Sequence, residues 1–372
     1  MAETTASEID VAALRALLER GDPVTVLDVR SAADRAEWAI PGSLHVAAYD
    51  ALKAGDPQAL AHVTLPKGQP IITVCGVGQT AAIATAQLRA RGLPARTLVG
   101  GMRAWSLAWN VTEVPVPGSA ARVVQVRRTG KGCLSYLIGS AGEAAVLDAS
   151  LDPAVYLELA RRYGWRITTV LDTHVHADHL SRSRTLAGAT GARLYLPATE
   201  RASFPFTPLR DGVMVAVGAA HLAVLHTPGH TPEGASYLLD QRALFSGDTL
   251  FLVGVGRPDL EASREEARER AQTLYQSLQR LLSLPGQTLV LPGHTGTPVP
   301  FDGRPLVATL ADVRQQLAAF PAVEDDFVEA ILARIPPTPP NHARIVALNE
   351  AGLLPEGDPT ELEAGANRCA VA

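Results

Sequence analysis

Seven residues of metal-ligand type fall in four short clusters. His174-Val175-His176-Ala177-Asp178-His179 presents three imidazoles and a carboxylate from one tight turn, and His230, Asp248 and His294 follow singly farther along the chain. Imidazole nitrogen and carboxylate oxygen are the donors that zinc and iron(II) accept. Each cluster comes directly after an apolar run that reads as a strand: Ile167–Asp172, Leu222–His226, Ala243–Ser246 and Thr288–Leu291. Loops at the ends of neighbouring strands converge, and a sheet holds such ligands to the tolerance a metal requires. A histidine standing alone is ordinarily a surface or core residue, and His45, His62, His221, His226 and His342 are read that way. Four strand-end clusters together are read as one metal site.

A separate chemistry is offered by Cys75, which follows the apolar run Pro70–Val74 and opens the loop Cys75-Gly76-Val77-Gly78-Gln79-Thr80. A helix is expected over Thr80–Arg91, so this thiol sits where backbone N–H groups and the positive end of a helix favour a sulfur anion, as thiolate or persulfide. Cys133 and Cys369 have no such context and are read as structural or merely exposed. With three cysteines widely spaced, no disulfide framework is implied.

The elements that must carry these groups divide the 372 residues into two folded parts. Residues 1–112 alternate strand and helix: Ser7–Arg20 is expected as a helix with Ser7 and Asp10 at its start, then the strands Pro23–Val29 and Pro70–Val74 and the helix Thr80–Arg91. That order predicts a small parallel α/β sheet. Residues 113–121, within the proline-bearing stretch Asn110–Ala121, read as a linker. Residues 122–300 are richer in strands, with Leu134–Ile138, Ala144–Asp148, Arg193–Leu196 and Ala235–Leu239 added to those above. One helix stands out there, Arg264–Leu284, with a capping box of Ser263 and Glu266. Residues 301–372 form an extension with a helix, the proline-rich run Ile335–Pro340 and a polar end. Lys and Arg total 33 against 38 Asp and Glu, a net charge of −5, so neither nucleic acid nor an acidic membrane surface is an expected partner. No apolar run approaches the ~20 residues of a membrane span, and Met1–Asp10 lacks a signal pattern, so a reduced, cytoplasmic setting is expected.

The second part resembles the metallo-β-lactamase superfamily, carried by His-x-His-x-Asp-His followed by single His, Asp and His after later strands. The resemblance implies an αββα sandwich with its site at one edge of the two sheets. In the glyoxalase II-like branch it implies two zincs, one on His174, His176 and His230 and one on Asp178, His179 and His294, with Asp248 bridging and a thioester or lactone as substrate. In the persulfide dioxygenase branch it implies one Fe(II) per chain on His174, His230 and Asp248, with His176, Asp178, His179 and His294 around it. Spacing alone does not choose, because all seven residues suit both. Gly254-Val255-Gly256-Arg257-Pro258-Asp259 looks like a segment of the dioxygenase branch, in which Arg257 either binds a carboxylate of the thiol carrier or pairs with Asp259. Thr295-Gly296 and Glu233 depart from glutathione-using relatives, at positions that bear on the carrier and not on the metal.

The first part resembles a rhodanese domain, through Asp28-Val29-Arg30, Ile40-Pro41-Gly42-Ser43-Leu44-His45-Val46, the loop from Cys75, and Gly100-Gly101-Met102-Arg103-Ala104-Trp105. That resemblance implies a sulfane sulfur carried on Cys75. Gly76 stands where thiosulfate-using members place Arg, so a persulfide or thiol is the expected partner. Taken together the resemblances imply a persulfide dioxygenase fused to a rhodanese. It would act on a low-molecular-weight thiol persulfide such as glutathione persulfide with O₂, with Cys75 and Asp178 as catalytic candidates and a homodimer left open. A dinuclear zinc hydrolase with an ancillary rhodanese domain is the alternative.

Overall fold

The computed structural model describes residues 7–371. In the first part, β1 (Glu8–Ile9), β2 (Thr25–Asp28), β3 (Leu44–His45), β4 (Ile71–Val74) and β5 (Ala95–Leu98) form a sheet in the order β1-β5-β4-β2-β3. Every pairing in it is parallel. Alternate residues of its central strands bury on opposite faces, Leu27 and Ile71 on one and Val26, Ile72 and Val74 on the other. That is why these runs read as continuously apolar and not as alternating. The N-terminal helix is shorter than expected. Asp10 caps it by accepting from Ala13 N at 2.7 Å, it spans Val11–Arg20, and Glu8–Ile9 is drawn into β1. Residues 1–6 lie outside the described residues.

The stretch read as a linker opens as a strand, β6 (Asn110–Val114), paired antiparallel with β7 (Arg122–Arg127). With β8 (Leu134–Ser140), β9 (Glu143–Leu147), β10 (Arg166–Leu171), β11 (Arg193–Pro197) and β12 (Thr207–Leu209) these make a seven-stranded sheet. A six-stranded sheet faces it, in the order β13 (Met214–Val217), β14 (Ala220–His226), β15 (Ala235–Leu239), β16 (Ala243–Gly247), β18 (Leu289–Pro292) and β19 (Ala308–Thr309). Between β16 and β18 the chain forms the short strand β17 (Val255–Gly256).

Side chains sort by parity into three cores. Val123, Ile138, Leu147, Val224, Tyr237 and Phe245 fill the space between the sheets. Val124, Leu137 and Val146 face outward, under the helices Pro153–Tyr163 and Ser183–Thr190. Leu238, Leu244 and Val290 face the other way, under Arg264–Leu282 and its neighbours. Helix, sheet, sheet and helix thus stack as four layers, the αββα arrangement expected. The capping box of Ser263 and Glu266 is formed in both directions.

The extension is more structured than its sequence suggested. Helices Leu310–Leu317 and Glu324–Ala333 cover the outer core, and His342–Ala351 and Thr360–Glu363 follow. The chain then forms β20 (Ala370–Val371), antiparallel to β17. The two parts touch closely: Trp38 Nε1 donates to the Thr129 carbonyl at 3.2 Å, and Arg128 Nε to the Ser106 carbonyl at 2.7 Å. No helix among the described residues is long and apolar enough to cross a membrane.

Candidate metal centre

The carboxyl ends of β10, β14, β16 and β18 meet at one edge of the two facing sheets, and each delivers ligands there. Thr173 follows β10, and its N–H and hydroxyl both donate to Asp148, at 2.7 Å and 3.0 Å. Having given its proton away, the Thr173 oxygen accepts from His174 Nδ1, 2.9 Å distant, and leaves Nε2 of that ring with a free lone pair. His230 Nδ1 faces the Arg257 carbonyl at 2.8 Å, so it too is the protonated nitrogen and Nε2 is free. Asp248 accepts from His294 Nδ1 on Oδ1 at 2.5 Å, which leaves Oδ2.

The three free atoms face one another. Asp248 Oδ2 lies 3.9 Å from His174 Nε2 and 3.7 Å from His230 Nε2. His174 Nε2 and Asp248 Oδ2 are buried with no hydrogen-bond partner. Converging lone pairs in a dry site are costly unless a cation lies between them. Bonds of ~2.1 Å let one ion span separations of this size. The donor set therefore fits a metal, and its type, two imidazoles and one carboxylate, is that of the facial triad. Burial holds the His174 and His230 protonation equilibria below the ordinary imidazole range. Burial opposes charge on Asp248, but His294, His174 and His230 outweigh it and hold its carboxyl well below the usual range.

Glycine is needed around these ligands. A Cβ at Gly256 would stand 2.9 Å from the His230 Cβ and 2.0 Å from the Asp248 carbonyl oxygen, and one at Gly293 would stand 2.6 Å from Asp248 Oδ1. Gly256 of the Gly254–Asp259 segment thus serves close approach, while Gly254 takes a positive φ of 102°.

The other predicted ligands form two further groups. His176 turns Nε2 to Asp148 Oδ1 at 3.2 Å and clusters with Asp148 and Asp172. The His176 ring nonetheless packs 4.2 Å from that of His174, which lies 5.0 Å from His230, and His176 Nδ1 is buried with no partner. Asp248 has its Oδ1 taken by His294. Asp178, His179 and His294 do meet, joined by Cys133. Asp178 Oδ1 faces His179 Nδ1 at 3.0 Å and its Oδ2 lies 2.9 Å from His294 Nε2. Burial and Asp178 push the Cys133 thiol up, but His179 and His294 win and draw it down to about 6. Burial works against charge on His179, yet Asp178 and Cys133 raise it to about 9.

Three expectations are corrected here. Cys133 is no inert core thiol, and Cys369 lies buried beside Asp248 and His294. Arg257 is fully buried, with Nε and Nη2 each 2.8 Å from Asp259 oxygens and Nη1 on the carbonyls of Pro337 and Arg368. It is the structural ion pair, with four of its five N–H donors engaged and the whole side chain out of a carrier's reach.

Several residues that hold the ligand loop were not singled out. Asn349 donates to the carbonyls of His176 and His179, both at 2.8 Å. Asp148 carries φ 54°, a strained conformation for a non-glycine residue, and it ends a strand as the ligands do, the one sequence signal that marks it. Glu363 is fully buried between Arg128 and Arg182 and accepts from Leu180 N at 2.7 Å. Burial opposes its charge, but the two guanidiniums hold its carboxyl far below the ordinary value. Glu363→Gln is expected to cost about 3–5 kcal/mol in chemical denaturation. The loss should be full at neutral pH and shrink as pH falls from the ordinary carboxyl value towards the depressed native one, where the unfolded chain protonates while the native pair stays charged. A denaturation midpoint unmoved at neutral pH would show the pair is not needed.

In the first part, Cys75 is buried at the carboxyl end of the central strand β4. Its Sγ accepts from the N–H groups of Gly78 at 3.2 Å and Ala81 at 3.3 Å, at the start of the helix Gln79–Ala90. Gly78 takes φ 95°, and Thr80 is buried while Val77 is exposed. Beside this loop lies a cavity of about 300 Å³ lined by Arg30, Gly76, Val77 and Arg103 from the first part and by Gly130, Ala364 and Gly365 from the second.

Residues 128–294 match the metallo-beta-lactamase superfamily and residues 10–108 the rhodanese-like domain. A hydroxyacylglutathione hydrolase of Methylococcus capsulatus is 38% identical over 168 residues, covering 44% of this chain and 62% of that protein. Its counterpart in Rhodospirillum rubrum is 38% identical over 165 residues, 42% of this chain and 59% of that one. The chain thus spans about six-tenths of the length of these curated relatives. Among solved structures, a metallo-beta-lactamase from Staphylococcus aureus superposes with TM-score 0.58 at 30% identity, over 63% of this chain and 74% of that one. ETHE1 from Myxococcus xanthus superposes with TM-score 0.53 at 32% identity, over 61% of this chain and 97% of that one.

Proposed function

Because the chain belongs to the metallo-beta-lactamase superfamily and carries a rhodanese-like domain ahead of that fold, we propose that it oxidises the sulfane sulfur of a low-molecular-weight thiol persulfide. Persulfide, O₂ and water would yield thiol, sulfite and protons. The observation that carries this reading is the set His174, His230 and Asp248, which offers one ion three donors on a single face. Asp248 has only Oδ2 to give, because His294 holds Oδ1. That favours a terminal ligand in a one-metal centre over a bridge between two.

Iron(II) held by these three residues would leave coordination positions open and would pass electrons from the persulfide sulfur to O₂. The chain's own residues do the rest. Thr173, anchored by Asp148, and the Arg257 carbonyl fix which nitrogen each histidine presents. Asn349 and Glu363 hold the ligand loop from behind. Burial of every ligand keeps the bulk solvent away from the reacting sulfur, with the one water that the reaction consumes admitted beside it. The loop at Cys75, with two N–H groups on Sγ, suits a bound persulfide, which it would deliver to the carrier or withdraw from it. Joining both sites in one chain raises the local concentration of the shared carrier.

The names of the curated relatives favour a second reading, a dinuclear zinc thioester hydrolase. Metal analysis joined to O₂ uptake on glutathione persulfide separates the two. About one iron per chain with O₂ consumed is expected. Two zincs, no O₂ uptake and thioester turnover would replace the dioxygenase with the hydrolase.

A further inference from the structure

We propose that the 364–371 segment sets the number of metals the centre takes, with the Asn367 carboxamide closing the position that a second cation would need. The proposal rests on the one-metal reading above and adds what enforces it. Cys133, Asp178, His179 and His294 are buried within 4.8 Å of one another, donors enough for a second ion. Yet Asp178 Oδ2 accepts a hydrogen bond from Asn367 Nδ2 at 2.9 Å. An N–H group has no lone pair for a cation, and its partial positive charge sits against the oxygen such an ion would have to take.

The orientation of that amide is settled by its other end. Asn367 Oδ1 accepts from the Cys369 N–H at 2.9 Å, so turning the group over would set donor against donor and oxygen against carboxylate. The segment is pinned on both sides of Asn367. Val371 and Ala370 pair with Val255 and Gly256, and the Cys369 carbonyl accepts from Arg257 N at 2.9 Å. Arg368 reaches Glu37 of the rhodanese-like part at 3.0 Å and gives its carbonyl to Arg257. The Cys369 side chain then fills the space beside Asp248 and His294. Asn367 is therefore a positioning residue that decides what else can enter.

The test uses the full chain and Zn²⁺ as the probe. Wild type, Asn367→Asp and Asn367→Ala are loaded anaerobically with excess Zn²⁺, desalted and counted by plasma mass spectrometry. Circular dichroism melting confirms that each is folded. Asn367→Asp keeps the oxygen that Cys369 needs and replaces the N–H donor with a ligand. Asn367→Ala removes the donor and adds none. Wild type is expected to hold about one ion per chain, and both variants to rise towards about two, a doubling. If wild type and both variants stay at one, Asn367 does not set the number and the inference falls while the one-metal reading stands. If wild type itself holds two, the one-metal reading falls and the inference with it.

Discussion

His230→Ala is expected to empty the centre of its metal and to abolish all metal-dependent turnover. The reason is the geometry of the free atoms. His230 Nε2 is one of the three donors that meet, and the His230 ring is itself oriented by the Arg257 carbonyl. Loss of a residue that merely supports a ligand costs about 10–100-fold in metal affinity. Loss of one ligand in three should exceed that range. The fold should survive, since its cores lie elsewhere, between the sheets and under the helices. Metal content after dialysis is the direct reading, with O₂ uptake beside it. A variant that keeps its iron and its activity would show that the triad is not the binding site.

Cys75→Ser is expected to separate the two activities. Serine cannot carry a sulfane sulfur, so transfer should drop by about 10³-fold or more. O₂ uptake on persulfide supplied in solution should continue at the wild-type rate, because Cys75 sits on its own sheet and the metal ligands on others. Labelled sulfane sulfur recovered on the protein by mass spectrometry measures the first effect, and an oxygen electrode the second. Simultaneous loss of both would mean that the metal site is fed only through Cys75. The cavity beside this loop makes that outcome worth checking, because Gly130, Ala364 and Gly365 supply its far wall. Gly365 stands four residues before Cys369, so the two sites are spanned by at most about 14 Å of chain.

The sequence made the ligands visible because each follows a strand, and strands announce themselves by buried β-branched residues. His174, His230, Asp248 and His294 were found in this way, as was Cys75 behind β4. The grouping of those ligands was not visible. Which nitrogen His176 turns to Asp148 depends on ring orientation, which spacing does not encode. The same holds for Arg257, whose pairing with Asp259 only burial decides. Asn349, Glu363, Asn367 and Cys369 escaped for another reason. Asn349 and Asn367 act on the centre from 170 and 189 residues away, and all four come out of a stretch whose own pattern reads as polar extension. The strand Asn110–Val114 was hidden by the prolines that follow it.

The long separation between Asp178 and Asn367 also orders events during synthesis. At about 5–20 residues per second, ~10–40 s pass between the ribosome's making the first and the second. All seven metal-ligand residues exist about 70 residues before Asn367 does, so a nascent chain can assemble both halves of the centre with nothing yet drawn across it. Closure comes later, when β20 finds β17. An ion held there by then would lie behind that paired strand and the contact of Arg368 with Glu37. Exchange of such an ion in the folded chain would be slowed by the need for β20 to part from β17.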